Sequence, residues 1–422
     1  MSSSSSHTEA STTLPSKVVV VGASVAGVRL CQTLRSSGFT GEIALVGDEA
    51  GMPYDRPPLS KEFLVGERSC AEIGLAGQQD WAGLAVTYHA CSKAVRLDTV
   101  RRVVECETGL VLAYDALVLA CGSRPVSAPW DNVAGVTWFR RIEDAVFVRD
   151  QIAAGCDVAC IGGGFIGSEV VSIARKRGVD ATLIEAQPRL LNKALGPRLS
   201  NFIRDLHLAA GVTVLCNTPV ASVAEEASGG LVVSGVNGEQ IHAGVVVSGI
   251  GVRPSTEWLN SSGLPVENGV LCEADGSVVG FPEIHAIGDV AALFDPVSHQ
   301  YVRYEHWTRA VEVASVVAHN IVRPAQKTAY SAVPFFWTWQ HGHFIQMVGK
   351  WEDRYEEVFV NCRTQNDEKL IVLYVEADAV VSAVAVAWPA LVPWLRNACA
   401  KRASFPGCVD HLHQICRQVV VS

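Results

Sequence analysis

Two glycine-rich turns, each set between a strand pattern and a helix pattern, constrain the fold of this chain more than any other feature. The first turn spans Gly22 to Gly27 and follows the β-branched run Lys17 to Val21. The second spans Gly162 to Gly167 and follows Asp157 to Ile161. At both places the apolar pattern changes from the period of a strand to that of a helix. The sequence therefore predicts two strand-turn-helix units.

Each unit leads to a second apolar run that ends at a carboxylate. Glu42 to Val46 is followed by Asp48, and Ala181 to Ile184 is followed by Glu185. The spacing from the turn to the acid is about 20 residues, as in the strand-helix-strand units that bind dinucleotides. Glycines let the backbone approach a pyrophosphate, and the helix N-terminus offers N–H donors to it. Two dinucleotide sites are the expected result.

The two turns differ in quality. Ser24 occupies the second glycine position of the first turn, so an ordinary strand-helix turn stays open there as an alternative. The second turn is complete, and Glu185 can accept hydrogen bonds from a ribose 2′-OH while repelling a 2′-phosphate. This arrangement favours NADH over NADPH at the second site.

The rest of the chain organises around these units. Leu117 to Gly122 and Val245 to Gly251 are apolar strands that end in small residues, which suggests crossing points between domains. Ile284 to Asp289 is another strand, and Tyr304 to Val322 has helical spacing. From Ser331 onward, short aromatic and β-branched runs predict a small α+β domain. The predicted fold class is α/β, with two Rossmann-like dinucleotide-binding domains and a small C-terminal α+β domain.

Composition excludes several classes of protein. A net charge of −9 argues against a nucleic-acid surface, which needs clustered Lys and Arg. The longest apolar run, Ala379 to Leu395, is shorter than a membrane span and contains two prolines, so we expect a strand followed by a turn or short helix. The serine-rich start lacks the features of a secretory signal, and we interpret residues 1–15 as a disordered leader of a cytoplasmic protein.

Thirteen cysteines could indicate disulfides or a metal site, but their pattern favours neither. The count is odd and no Cys-x-x-Cys pair occurs. We expect reduced, mostly buried thiols and no metal.

The run Pro53-Tyr-Asp-Arg-Pro-Pro-Leu-Ser-Lys61 resembles the ferredoxin reductases of bacterial aromatic-ring dioxygenase and haem monooxygenase systems, which are relatives of apoptosis-inducing factor. The resemblance continues, in the order typical of that family, through Ala120 to Pro125, Phe139 to Asp144, the second glycine turn, Ile250-Gly251, Ala286 to Asp289 and Pro334 to Trp337.

The resemblance implies a domain layout and an activity. An FAD-binding domain would comprise residues 16–123 and 250–327, an NAD-binding domain residues 124–249, and a C-terminal domain residues 328–422. The implied enzyme passes electrons from NADH through FAD to a [2Fe–2S] ferredoxin, which in turn serves an oxygenase. Hydride transfer to a flavin requires no general acid or base, so none is predicted.

The same resemblance implies the site residues. Those implied for FAD are Gly22, Ser24, Ala26, Gly27, Asp48, Arg56, Lys61, Ala94, Arg124, Arg140, Asp289 and Trp307. Those implied for NAD are Gly162, Gly164, Ile166, Gly167, Glu169, Glu185 and Gly251. Lys61, Glu169 and Trp337 would lie near the flavin.

The chain differs from the usual family pattern at two positions, and two other functions stay open as alternatives. Cys121 stands where the family usually has threonine, and Trp339 stands where an acidic residue often occurs.

A flavin disulfide reductase would need a reactive cysteine soon after the first unit, yet none lies between Cys31 and Cys70. An FAD- and NADH-binding redox sensor or interaction protein is not excluded by fold analogy.

Docking of an acidic ferredoxin would require a positive patch. Arg396, Lys401 and Arg402 form one candidate cluster, although a solvated helix end is an equally good interpretation.

Overall fold

The computed structural model describes residues 14–75, 78–227, 229–363 and 368–422. Most of the leader predicted at residues 1–15 thus lies outside the described residues. Within the described ranges, no helix combines the length and apolarity that crossing a bilayer requires.

The elements of the first part of the chain are β1 Lys17–Val21, α1 Val25–Ser36, β2 Glu42–Val46, α2 Gln78–Gly83, β3 Val86–His89, β4 Ala94–Asp98, β5 Val103–Cys106, β6 Val111–Ala113, β7 Ala116–Leu119 and β8 Ser123–Pro125. Those of the second part are β9 Val136–Thr137, α3 Ile142–Ala153, β10 Val158–Ile161, α4 Phe165–Lys176, β11 Ala181–Ile184, α5 Pro197–Ala209, β12 Thr213–Leu215, β13 Val220–Glu225, β14 Leu231–Gly235, β15 Gln240–Ala243, β16 Val245–Ser248 and β17 Val252–Pro254.

The third part contains β18 Val266–Glu267, β19 Gly269–Cys272, β20 Ser277–Val278, β21 Phe281–Ala286, β22 Ala291–Asp295, β23 Gln300–Val302 and α6 Trp307–Val322. The last part contains β24 Phe335–Gln340, β25 His343–Val348, β26 Glu356–Arg363, β27 Glu368–Glu376, β28 Ala379–Val386, α7 Val392–Ala400, α8 Phe405–Ile415 and β29 Gln418–Val421.

The first strand-turn-helix unit lies in a large sheet of order β23-β22-β19-β20-β21-β7-β1-β2-β3, with β18 paired to β19. β1 is central and pairs in parallel with β2 and β7. Val18, Val19 and Val20 are fully buried, because strands inside such a sheet are covered on both faces. That burial explains why β1 is an uninterrupted apolar run.

The second unit lies in a separate parallel sheet of order β12-β11-β10-β16-β9. The chain enters and leaves this domain side by side, since β8 and β17 pair as an antiparallel ribbon. The predicted crossing points, Leu117 to Gly122 and Val245 to Gly251, each end directly before a strand of this ribbon. The two Rossmann-like units are confirmed.

The C-terminal domain is an antiparallel sheet of order β24-β25-β28-β27-β26-β29. Along β27, Val372 and Tyr374 pack into the core of the second parallel sheet, whereas Ile371 and Leu373 pack against α7 and α8. Alternation with period two thus buries both faces of the sheet. The expectation of a strand followed by a turn or short helix after Ala379 is confirmed by β28 and α7.

Two small antiparallel sheets were not predicted. They are β4-β5-β6 and β13-β14-β15. Their outer strands are short and largely exposed, as the burial of β13 shows, so the sequence carries only a weak apolar alternation there.

A histidine pair, of which His207 is fully buried, joins the C-terminal sheet to the second domain. His341, in the turn between β24 and β25, lies with its Nε2 2.8 Å from Nδ1 of His207 on α5. The His341 backbone N–H also donates to Oγ of Ser172 on α4, at 2.7 Å. Burial lowers the pKa of His207 to about 3 and lowers that of His341 as well. Both rings are therefore neutral at pH 7, one donating and the other accepting.

This pair predicts a loss of stability in mild acid. A histidine with a lowered pKa in the folded protein stays neutral there, while the same histidine in the unfolded chain takes up a proton below about pH 6.5. The folded state therefore loses stability relative to the unfolded state as the pH drops below that value. Between pH 7 and pH 5, the free energy of unfolding should fall by about 2 kcal/mol more in the wild type than in His207→Leu. Urea unfolding at the two pH values measures this difference. His413→Gln on the exposed face of α8 should behave like the wild type, and an unchanged pH dependence in His207→Leu would contradict the assignment.

Candidate functional site

Both glycine turns open into one cleft of about 1840 Å³. Its walls come from the carboxyl ends of β1 and β10, from the entry ribbon and from the start of β24. The volume exceeds the upper size of ordinary small-molecule pockets, about 1000 Å³. One continuous space therefore serves both strand-turn-helix units.

The first glycine turn packs closely against a neighbouring backbone segment and leaves room for a ligand to approach its own backbone. Gly22 has φ +121°, and a Cβ there would lie 2.1 Å from the carbonyl oxygen of Ala120, just after the neighbouring strand β7. Ser24 is the N-cap of α1, yet its side chain makes no capping bond, and the first turn of the helix holds no acidic residue. The N-terminal amides of α1 thus remain available to an anion, as a phosphate-binding turn requires.

The second turn repeats this geometry. Gly162 has φ +109°, and a Cβ there would lie 2.3 Å from the Gly249 carbonyl oxygen. Gly164 caps α4 without a side chain. Glu185 is held beside the turn, because its Oε2 accepts the Gly163 N–H at 2.7 Å and its Oε1 accepts the Gln187 N–H at 2.7 Å.

Nearly all of the residues implied for the two nucleotides line this cleft. They are Gly22, Ser24, Ala26, Asp48, Arg56, Lys61, Ala94, Arg124, Arg140, Asp289 and Trp307 of the first set, Gly162, Gly164, Ile166, Glu169, Glu185 and Gly251 of the second, and Trp337. Gly27 and Gly167 lie behind the wall instead. A Cβ on them would lie 2.0 Å and 2.3 Å from the carbonyl oxygens of Gly22 and Gly162, so they allow the helices to pack against the turns.

Three guanidinium groups in the wall carry unsatisfied donors. The Nε atoms of Arg56, Arg124 and Arg140 are buried and have no hydrogen-bond partner among the described residues. Burial, and then repulsion by Arg56, lowers the pKa of Arg140. Asp289, which accepts a hydrogen bond from Ser123 at 2.7 Å, lies 3.4 Å from the Arg140 guanidinium. Buried donors of this kind fit an anionic ligand that would satisfy them.

An ion pair between Lys61 and Glu169 lies in the middle of the cleft wall. Lys61 Nζ is 2.6 Å from Glu169 Oε2, and the Glu169 side chain is only 3% exposed. Ser60 and Thr338 donate to the same carboxylate at 2.5 Å and 2.6 Å. The helix α4 begins at Phe165, so Glu169 lies in its second turn and is stabilised by these donors rather than by the helix N-terminus.

An aromatic surface forms the side of the cleft next to the C-terminal domain. The rings of Trp307 and Trp337 lie 5.7 Å apart, edge to face. Trp307 is oriented by its indole N–H, which donates to Asp55 at 2.7 Å, and burial raises the pKa of that carboxyl group. Such a wall excludes water and presents flat apolar faces to a planar ligand.

The sequence did not single out several lining residues. Tyr304 stacks on His306, whose ring lies 4.9 Å from that of Phe336, and Phe336 contacts Phe165. Burial lowers the pKa of His306 to about 4. The local signal for Tyr304 and His306 was an aromatic-rich stretch just before α6, whereas Phe165 lies in the second glycine turn and Phe336 in the run Pro334 to Trp337.

The cysteines are free thiols in the described chain, as expected, although Cys70 and Cys91 are exposed. Cys121 lines the cleft and donates to the Ser255 carbonyl at 3.3 Å. Burial raises its pKa to about 11, so it is a protonated thiol at neutral pH. A protonated thiol is a poor nucleophile.

Trp339 and the candidate basic cluster both lie outside the cleft wall. Trp339 is 43% exposed and stacks on Phe344, with ring centroids 4.6 Å apart. The candidate basic cluster is largely neutralised within the chain, since Arg396 pairs with Glu312 at 3.0 Å and Arg402 with Glu376 at 2.8 Å. Those internal pairs leave little net charge to steer an acidic partner.

The Lys61–Glu169 pair predicts a strong asymmetry between single and double substitutions. Lys61→Met would leave a buried carboxylate without its cation and should lower the free energy of unfolding by about 3 kcal/mol. Adding Glu169→Gln should recover most of that loss. Urea unfolding is the measurement, and Lys176→Met is the control because its pair with Glu67 is exposed. A loss below about 1 kcal/mol, as for an exposed pair, would contradict a buried ion pair.

Comparison with known proteins agrees with this geometry. The model of the pyridine nucleotide-disulphide oxidoreductase family matches residues 16–314. Rhodocoxin reductase of Rhodococcus erythropolis is 35% identical over 336 residues, which cover 79% of this chain and 78% of that protein. The ferredoxin–NAD(+) reductase component of the anthranilate 1,2-dioxygenase system of Burkholderia cepacia is 35% identical over 340 residues, 78% of this chain and 81% of that protein.

Among solved structures, the covalent putidaredoxin reductase–putidaredoxin complex matches with a TM-score of 0.87 and 29% identity, over 95% of this chain and 98% of the matched chain. The chain therefore belongs to the pyridine nucleotide-disulphide oxidoreductase family, and the relatives it resembles carry the names of reductases.

Proposed function

We propose that this chain is an NADH-dependent flavoprotein reductase that passes electrons from NADH through FAD to a [2Fe–2S] ferredoxin serving an oxygenase. The observation that carries the proposal is the convergence of two phosphate-binding turns on one cleft with an aromatic wall. The reductase names of its relatives support the same activity.

We assign FAD to residues 16–123 and 250–327, NADH to residues 124–249, and a covering role to residues 328–422. The paired strands β8 and β17 support boundaries close to these positions. We further propose that the protein works in the cytoplasm beside its ferredoxin.

In this assignment the N-terminus of α1 holds the FAD pyrophosphate and Asp48 its ribose. Arg56 and Arg140 satisfy their free donors on the bound cofactor, and Asp289 accepts from its hydroxyl groups. Asp48 also forms an ion pair with Arg141 at the start of α3. The exposed position of that pair lets it open without a large energetic cost.

NADH binds at the second turn, where the N-terminus of α4 takes the pyrophosphate. Glu185 accepts from the adenosine ribose hydroxyl groups and keeps its remaining contacts to backbone N–H groups. Its negative charge disfavours a 2′-phosphate.

Bound FAD supplies the two-electron chemistry with NADH and the one-electron chemistry with the carrier. The chain orients the two planar ligands and excludes water through Trp307 and Trp337. Lys61 and Glu169 form an ion pair beside the reacting region. Because their charges cancel, this part of the wall is polar but carries no net charge.

A thiol-based reductase is disfavoured because the cysteine in the cleft is protonated at neutral pH. Burial raises the pKa of Cys121 to about 11 and that of Cys31 to about 12, so neither thiol is ionised at neutral pH.

Cys121→Ser should therefore retain NADH-dependent electron transfer. Loss of that activity with FAD still bound would favour disulfide chemistry.

Glu185→Gln should reduce the preference for NADH. The variant keeps an acceptor oxygen but loses the repulsion of a 2′-phosphate, so the ratio of kcat/KM for NADH to that for NADPH should fall about tenfold, or about 1.4 kcal/mol. Steady-state kinetics with both nucleotides measures the ratio. Glu267→Gln, an exposed site on β18, should leave it unchanged. An unchanged ratio in Glu185→Gln would refute the assigned role.

The proposed activity is tested by ferredoxin-dependent reduction of cytochrome c with a panel of [2Fe–2S] ferredoxins. The proposal predicts rapid reduction that requires NADH and one of the ferredoxins. Reduction of the protein by NADH with no transfer to any carrier would instead favour a redox sensor.

A further inference from the structure

The helix α5 begins without a cap of its own. Its N-cap residue is Gly196, which has no side chain, and its first turn contains no acidic residue. The first amides of a helix have no partner within the helix and carry partial positive charge. They require an acceptor from elsewhere in the chain.

That acceptor comes from the C-terminal domain. The Oε2 atom of Glu357, on β26, accepts the Arg198 N–H at 2.7 Å, and its Oε1 accepts the Leu199 N–H at 3.0 Å. The buried hydroxyl of Tyr374 accepts the Gly196 N–H at 3.2 Å and donates to Glu357 at 3.4 Å. A Cβ on Gly196 would lie 2.6 Å from the Glu357 carboxyl carbon, so the missing side chain lets this carboxylate reach the helix.

A second contact strengthens the same junction. The Arg198 guanidinium lies 4.4 Å above the ring of Phe359, also on β26. It donates to the Glu357 carbonyl at 3.3 Å and to the Ser422 carbonyl at 2.8 Å. The start of α5 is thus fixed to the C-terminal sheet by both backbone and side chain.

The loop leading into α5 is part of the cleft. Residues 191–194 line the side next to the second glycine turn. The Leu191 N–H donates to the Gly163 carbonyl at 2.9 Å, and the Ser200 hydroxyl in α5 donates to the Leu190 carbonyl. The loop is therefore held between the phosphate turn at one end and the first turn of α5 at the other.

We propose that Glu357 is a positioning residue for NADH, although it belongs to a different domain from the nucleotide turn. By capping α5, it holds the loop 191–194 against Gly163 and keeps that wall of the site in place. The inference rests on the proposed function, because it assumes that NADH binds at the second turn.

The test uses the FAD-loaded protein and compares Glu357→Gln with Glu356→Gln. The two residues are neighbours on β26 and the charge change is the same, but Glu356 is exposed. Binding of NAD⁺ is measured by titration calorimetry, and KM and kcat are measured with NADH. Glu357→Gln should raise both the Kd of NAD⁺ and the KM for NADH about fivefold, the effect of losing about 1 kcal/mol of capping. Its kcat, FAD content and KM for ferredoxin should match those of the control.

A gentler variant guards against failure to fold. Tyr374→Phe removes only the hydroxyl that joins Gly196 to Glu357, and it should raise the Kd of NAD⁺ in the same direction by a smaller factor. Unchanged NAD⁺ affinity in both variants would overturn the inference, as would a joint loss of kcat and FAD. If the wild-type protein fails to bind NAD⁺, the proposed function fails first, and the two failures are thereby distinguished.

Discussion

The Glu169 carboxylate is held in common by all three parts of the molecule. Lys61 and Ser60 reach it from the first domain and Thr338 from the C-terminal sheet, while Glu169 itself belongs to the second domain. A buried carboxylate is costly unless its charge is paired and its lone pairs are satisfied. The shape of the cleft depends on this convergence, since each contact brings one wall to the same point.

The histidine pair and the Glu357 cap stabilise the same boundary between two parts of the molecule. Both join the second domain to the C-terminal sheet, one through α4 and α5 and the other at the start of α5. The core also crosses this boundary, because residues of the C-terminal sheet pack into the cluster of the second parallel sheet. The wall formed by β24 is therefore fixed from several sides, which places Trp337 against Trp307.

Local spacing explains what could be predicted from the sequence. The strand at Lys17–Val21, the glycine turns, Asp48 and Glu185 all follow from patterns within about 30 residues of one another, because a strand-helix-strand unit is a local structure. Ser60, Thr338 and Glu357 could not be predicted in this way. They contact residues more than a hundred positions distant, and a hydroxyl or a carboxylate on a strand has no periodic signature. The ion pairs of Arg396 and Arg402 could not be predicted for the same reason, since both residues meet acids from other elements.

In the proposed enzyme, one cleft brings NADH and a bound flavin together. Anaerobic titration of the purified protein with NADH, followed by flavin absorbance, tests it most directly. We expect a yellow protein with about one FAD per chain, whose absorbance is bleached by a stoichiometric amount of NADH. A protein that binds no FAD, or a bound flavin that NADH leaves oxidised, would contradict it.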